Sequence, residues 1–340
     1  MLMLDNPVML LKTDARDQEW ISAFTRTMPE LEVRVWPQVG DLKEINCALL
    51  WNPPVDFFDG LENLEVIFSI GAGVDSLLAC SALPAKVPIV RMVEPELTAG
   101  MVEFCLFQVL RFHRLMHCYE RQQAQGVWKE LPQLPARDTT VGVMGMGVLG
   151  LALTKQLQAL NYNVIGYRRQ PKLNDTIEIF SGEAQVEEFL RQTMILVMLL
   201  PATEQTRHII NRETLAMLPP KACLVNAGRG ELINEEDLLW ALDSGQLQAA
   251  ALDVFSQEPL PTDHPLWSHS GIFLTPHIAS ITHPPTACRY IADALQAYHV
   301  GGVWPNLVDT GSGYYMRFRQ PLRVRCGLGT KVRSDERLSK

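Results

Sequence analysis

Short apolar runs alternate with amphipathic ones along most of the chain. Val8–Leu11, Val33–Val35, Ala48–Trp51, Val66–Ile70 and Ile89–Arg91 read as strands. After the first of these, Asp17–Thr27 reads as a helix, with Trp20, Ile21, Phe24 and the following Met28 near helical spacing. A second series follows at Val141–Met144, Val164–Tyr167, Ile195–Leu200, Cys223–Asn226, Ala249–Leu252 and Ile272–Leu274. Helices are expected between them, at Leu149–Leu160 and in NEEDLLWALDSG. There Asn234 is the N-cap, acidic residues fill the first turn and Gly245 lies just past the end. Strand and helix in alternation predict parallel sheets with helices packed on them. Between the two series, Thr98 to Gln125 contains no proline, and Phe104, Leu106, Phe107, Val109, Leu110 and Phe112 are too apolar for a solvent-facing helix. One buried helix is expected there, carrying the chain from one domain to the next and followed by an arm with Trp128, Pro132 and Pro135.

Two glycine-rich loops follow strands. In VGVMGMGVLG, Gly145, Gly147 and Gly150 stand at G-x-G-x-x-G spacing between a strand and a helix. Gly145 permits the tight turn, Gly147 lets backbone approach a pyrophosphate, and Gly150 lets helix pack closely on strand. The start of that helix, Val148 and Leu149 included, would present unpaired N–H groups to the phosphates. In SIGAGVDS, the Ala72, Gly73 and Val74 amides can hold a small anion, or the loop is a plain glycine turn; both readings fit.

A dinucleotide site for NAD has an acidic residue at the end of the next strand to accept from the ribose 2′-hydroxyl. This chain has Tyr167-Arg168-Arg169 there, with Lys172 just beyond. Two guanidiniums in place of a carboxylate suit a 2′-phosphate and favour NADPH over NADH. A solvated basic turn is the plainer alternative.

Three charged side chains recur at the ends of the late strands: Arg229 in VNAGRG, Glu258 in ALDVFSQEPLP and His277 in LTPHIAS. In a doubly wound sheet such ends line one crevice beside the dinucleotide. Hydride delivery to a ketone carbon needs a proton for the oxygen, which a histidine can supply. A neighbouring carboxylate would fix the ring and favour the imidazolium, and an arginine can grip the carboxylate of a 2-keto acid. Each residue alone has an ordinary structural reading; the three together after a nucleotide fingerprint do not.

Composition narrows the rest. With 47% hydrophobic and 20% charged residues, the 340-residue chain has the make-up of a soluble protein of two ordinary domains. No apolar run approaches the roughly 20 residues needed to span a bilayer. Asp5 and Pro7 interrupt the apolar start, which does not read as a signal peptide. Seven cysteines without C-x-x-C pairing favour a reducing cytoplasm, free thiols and no metal site. His113 and His117 stand four apart without a carboxylate cluster nearby, and are expected to be ordinary surface or core histidines. Residues 315–340 carry eight Lys/Arg against two Asp/Glu, which leaves the body at −14 where the whole chain is −8. A body this acidic is a poor nucleic-acid binder.

These segments, with ALLWNPP and SIGAGVDS, resemble the D-2-hydroxyacid dehydrogenase family, and most closely its glyoxylate/hydroxypyruvate reductase A branch, from about Val8 to Tyr314. The resemblance implies an α/β fold of two Rossmann-like, doubly wound parallel-sheet domains, the cofactor domain inserted into a discontinuous substrate domain. Residues 1–103 with 283–314 would form the substrate domain, and 104–282 the NADP-binding domain. It also implies a homodimer built around the long helix and arm. Matched by motif, Arg229 orients the substrate, Glu258 partners the histidine and His277 donates the proton. Asp253 would contact the nicotinamide side, and Trp51 with the Ala72, Gly73 and Val74 amides would line the substrate pocket. The branch prefers NADPH, consistent with Arg168, while NADH stays open as a second cofactor. Residues 315–340 lie past the branch's usual end and read as an unfolded extension or as an arm attracted to RNA or lipid. The expected reaction is reduction of small 2-keto acids, glyoxylate and hydroxypyruvate foremost. The alternatives are a D-lactate or 3-phosphoglycerate dehydrogenase, or a non-enzymatic dinucleotide sensor of the same fold.

Overall fold

The computed structural model describes residues 7–13, 16–171 and 177–310. Lys172, Tyr314 and the basic segment 315–340 lie outside the described residues. The first half contains β1 (Val8–Lys12), α1 (Asp17–Thr27), β2 (Glu32–Val35), β3 (Cys47–Leu50), β4 (Val66–Ser69), α2 (Asp75–Leu78), β5 (Ile89–Val90), α3 (Pro95–His113) and α4 (Met116–Ala124). The second contains β6 (Thr140–Met144), α5 (Val148–Ala159), β7 (Asn163–Arg168), β8 (Glu178–Ser181), α6 (Val186–Gln192), β9 (Ile195–Met198) and α7 (Arg212–Met217). It continues with β10 (Ala222–Asn226), α8 (Glu235–Asp243), β11 (Leu247–Leu252), β12 (Ile272–Leu274) and α9 (Pro284–His299).

The strands form two wholly parallel sheets. The first runs β2-β1-β3-β4-β5 and the second β12-β11-β10-β9-β6-β7-β8. Both orders reverse direction beside their first strand, β1 and β6, as doubly wound sheets do. The reversal matters because the crevice outside the carboxyl ends at that point is where such folds bind ligands. Central strands such as β3, β4, β9 and β10 are buried along their whole length, which explains their unbroken apolar sequence.

Helices cover the faces. α1 buries Trp20, Ala23 and Phe24 on the first sheet, and α9 joins the same core through Ala287, Cys288, Ile291 and Leu295. The chain therefore returns to the first sheet after completing the second. α3 packs the other way. Its Cys105, Val109 and Phe112 share a core with Val141, Val143, Leu153 and Leu157 of β6 and α5. Buried Glu94 caps α3, accepting from Glu96 N and Leu97 N at 2.8 Å each.

Two expectations need correction. The single helix expected over Thr98–Gln125 is two, because Leu115 adopts a left-handed φ of 55° and breaks the run between α3 and α4. Nor does the run sink entirely into the core: Phe107 is 59% exposed, and Leu110 and Met116 are also on the surface. His113 and His117 have separate surroundings. His113 Nδ1 lies 2.6 Å from Tyr162 Oη and its Nε2 2.8 Å from Leu134 O, while His117 is buried edge-on against Phe112. Burial pushes the His117 imidazole down to about 4, so it is neutral. No helix among the described residues is long and apolar enough to cross a membrane.

Candidate active site

The carboxyl ends of β10, β11 and β12 are tied to one another beyond the sheet. Asp253 N donates to Asn226 O at 3.0 Å, and His277 N donates to Asp253 O at 2.8 Å. This short ladder places the turns that carry Arg229, Glu258 and His277 side by side. Glycine permits the close approach: a Cβ on Gly230 would lie 1.9 Å from the Phe255 carbonyl carbon. Asn226, almost fully buried, holds the Arg229 turn from beneath. Its Nδ2 donates to Arg229 O at 2.8 Å and its Oδ1 accepts from Gly228 N at 3.1 Å.

His277 and Glu258 form a pair. His277 Nδ1 lies 2.7 Å from Glu258 Oε2, and Glu258 Oε1 accepts from Phe255 N at 2.9 Å. Burial would push the Glu258 carboxyl up, but these two hydrogen bonds and the neighbouring His277 and Arg229 charges hold it below the usual range. Glu258 therefore stays ionised and fixes the ring through Nδ1, which leaves Nε2 outside this pair. His277 has a φ of 54°, a left-handed conformation that costs free energy in a non-glycine residue and needs support around it.

Asp253 supplies that support. Only 1% exposed, it accepts from Thr275 Oγ1 at 2.6 Å, Ile278 N at 2.8 Å and Ala279 N at 2.8 Å. Burial pushes its carboxyl up while these donors pull it down, with a net upward shift. Its carboxylate thus braces the loop that carries His277.

A cavity of about 650 Å³ opens beside this group, within the range of small-molecule sites. Trp51, Asn52, Asp75, Arg229, Glu258 and His277 are among the residues that line it, so both sheets contribute. Trp51 meets His277 edge-on at 6.2 Å between ring centroids. Arg229 reaches the first sheet: its Nε donates to Asp75 Oδ2 at 2.7 Å and its Nη1 to Gly228 O at 2.6 Å. Its guanidinium rests on Gly73, within the SIGAGVDS loop. That loop is held from behind, with Ser69 Oγ 3.1 Å from Gly71 O and 3.2 Å from Gly73 O, and Arg91 Nη1 donating to Ala72 O at 3.4 Å. Ala72 and Gly73 are partly exposed, whereas Val74 is buried in the first sheet's core.

The glycine fingerprint lies at the switch point of the second sheet. Gly145 has a φ of 117°, and a Cβ there would come within 2.7 Å of the Leu199 carbonyl. A Cβ on Gly150 would lie 2.1 Å from Gly145 O, so helix and turn touch only because residue 150 is glycine. Gly147 precedes α5, whose first turn, with Val148 and Leu149, receives no side-chain cap. Those N–H groups suit a pyrophosphate. Gly145 N donates to Tyr167 O at 2.9 Å, which sets Arg168 beside the fingerprint. Arg168 is half-buried and burial pushes its guanidinium down, as an anion beside it would reverse; Arg169 is exposed. The buried hydroxyl of Ser181, opposite Arg168 in β8, has no hydrogen-bond partner among the described residues. The residues thus fit a 2′-phosphorylated dinucleotide.

The sequence pattern described as "D-isomer specific 2-hydroxyacid dehydrogenase, NAD binding domain" matches residues 106–279, which is half of the chain. The chain belongs to the D-isomer specific 2-hydroxyacid dehydrogenase family. It is 39% identical over 300 residues to glyoxylate/hydroxypyruvate reductase A of Salmonella paratyphi B, covering 87% of this chain and 96% of that one. A family member from Xanthobacter autotrophicus Py2, solved with NADPH and MES, superposes with a TM-score of 0.86. It has 37% identity, over 91% of this chain and 99% of that one. An NADPH-dependent glyoxylate/hydroxypyruvate reductase from Sinorhizobium meliloti, solved with NADP and sulfate, also gives 0.86. Its identity is 34%, over 91% of this chain and the whole of the other.

The candidate residues that follow strands stand out in the sequence, whereas several that hold them in place do not. Asp75, Asn226, Ser69 and Arg91 were not singled out. Asp75 carried a signal, an acidic residue next to the Ala72–Val74 loop, but its partner stands 154 positions away.

Proposed function

We propose that the protein is an NADPH-dependent reductase of small 2-keto acids, converting glyoxylate to glycolate and hydroxypyruvate to D-glycerate. The observation that carries the reading is the His277–Glu258 pair and Arg229 on one cavity, beside a glycine cradle flanked by Arg168. The reductase A relatives and the NADP-bound neighbours support the substrate and the cofactor.

Gly145, Gly147, Val148, Leu149 and Gly150 would hold the pyrophosphate, and Arg168 with Arg169 the 2′-phosphate. When bound, the nicotinamide supplies the hydride for C2 of the substrate. Arg229 and the Ala72, Gly73 and Val74 amides grip the substrate carboxylate, and Trp51 lines the cavity beside His277. His277, its ring fixed by Glu258 at Nδ1, would donate a proton from Nε2 to the carbonyl oxygen as that oxygen gains negative charge. Asp253 keeps the His277 loop in register, on the nicotinamide side of the site.

Residues 1–103 with 283–314 are read as the substrate domain, and 104–282 as the cofactor domain. The return of α9 to the first sheet supports this division. Phe107, Leu110, Met116, Val127, Trp128 and Leu134 expose apolar surface along α3, α4 and the following arm, with Trp128 wholly uncovered, which supports a homodimer. The cytoplasm is the proposed location. The test is product analysis: hydroxypyruvate should consume one NADPH per D-glycerate formed. Tight NADPH binding without turnover of any small 2-keto acid would instead indicate a dinucleotide sensor.

A further inference from the structure

We infer that Asp75 is a positioning residue for this reduction, fixing the Arg229 guanidinium across the cleft; the inference rests on the reductase reading above. Asp75 opens α2 on the first sheet, directly after the Ala72–Val74 loop, whereas Arg229 follows β10 on the second. Their 2.7 Å ion pair is part-buried, with the side chains 18% and 21% exposed. Pairs at this depth are screened less than surface pairs, and their geometry is more tightly held.

Three contacts define one position for the guanidinium. Asp75 takes the Nε edge, Gly228 O takes Nη1, and Gly73 lies beneath Nη2. An arginine held at one point would sweep a wide arc, because its side chain carries about 2 kcal/mol of rotamer entropy. Pinned at separate nitrogens, it meets a planar carboxylate with that entropy already lost. Asp75 acts through Arg229: its Oδ2 is engaged by Nε, and its other oxygen, Oδ1, is buried from solvent, with no hydrogen-bond partner among the described residues.

The experiment compares wild type with Asp75→Ala, Asp75→Ser and Asp75→Asn. Two quantities are read: steady-state kinetics with glyoxylate and hydroxypyruvate, and binding of oxamate, a non-reducible 2-keto acid mimic, to the NADPH complex. Asp75→Ala and Asp75→Ser should raise KM and weaken oxamate by about 10–100-fold, the effect of losing one charge-assisted hydrogen bond. The kcat should change by less than about 5-fold and NADPH affinity should not change, as when a binding interaction alone is lost. Asp75→Asn keeps an oxygen that accepts from Nε and should recover most of the loss. If Asp75→Ala fails to bind NADPH, Asp75→Ser carries the comparison. Unchanged KM and oxamate affinity in the truncations, or an Asn variant as impaired as Ala, would overturn the inference. A wild-type protein that turns over no small 2-keto acid overturns the reductase reading instead, so the two failures are distinct.

Discussion

Gly73→Ala isolates the geometry of the proposed carboxylate site. Gly73 is not at positive φ, so alanine meets no backbone penalty there. The added Cβ would stand 1.3 Å from Arg229 Nη2 and 2.5 Å from its Cζ. Ordinary contact needs about 3.4 Å, so the guanidinium must retreat by roughly 2 Å. It is pinned by bonds of 2.7 Å to Asp75 and 2.6 Å to Gly228 O, and neither survives such a shift. Two charge-assisted hydrogen bonds at about 1.5–3 kcal/mol each give about 3–6 kcal/mol, or roughly a 10²–10⁴-fold loss in kcat/KM. A misplacement of even 1 Å costs about 10²-fold in comparable sites, which agrees with the lower end. The assay is NADPH absorbance loss with glyoxylate, alongside an NADPH titration that should match wild type. A kcat/KM within about 3-fold of wild type would refute the placement of Arg229 over Gly73.

Three further outcomes follow from the same geometry. His277→Ala should lower kcat by about 10²–10⁴-fold, as expected when a general acid is lost, and near-normal turnover would remove His277 from that role. Glu258 is held below its ordinary carboxylate range, so the stability it adds is present above about pH 4.3 and is lost as pH falls through its lower folded value. Melting temperatures of wild type and Glu258→Gln should therefore differ at neutral pH and converge in acid; a constant gap would contradict the ionised pair. Arg168→Asp should shift the kcat/KM ratio from NADPH toward NADH by about 10-fold or more, and an unchanged ratio would place the 2′-phosphate elsewhere.

Much of this architecture was legible in sequence because the informative residues stand at strand ends. Arg229 and Glu258 follow buried runs and His277 a short apolar one, and parallel strands deliver their ends to one side of the sheet. The glycines were legible for a related reason, since their spacing answers to local backbone geometry. What stayed hidden is held by distance or by polarity. The Asp75–Arg229 contact joins residues 154 positions apart on different sheets. The role of Asp253 depends on three donors from a loop more than 20 positions downstream. β8 lies on a sheet edge with only Phe180 buried, so its sequence lacks the apolar run that marks the central strands. The break at Leu115 has neither glycine nor proline to announce it. Lys172 and the segment 315–340 lie outside the described residues, and the expectations for them stand as stated.

The central claim is that the nicotinamide hydride goes to C2 of a 2-keto acid while His277 protonates the oxygen. Isotopic labelling tests it directly: NADPH carrying deuterium at both C4 positions is incubated with hydroxypyruvate, and the product is read by mass spectrometry and NMR. The account predicts D-glycerate with one deuterium, at C2, in step with NADPH consumed. Product without deuterium at C2, or NADPH consumed without glycerate, would contradict it.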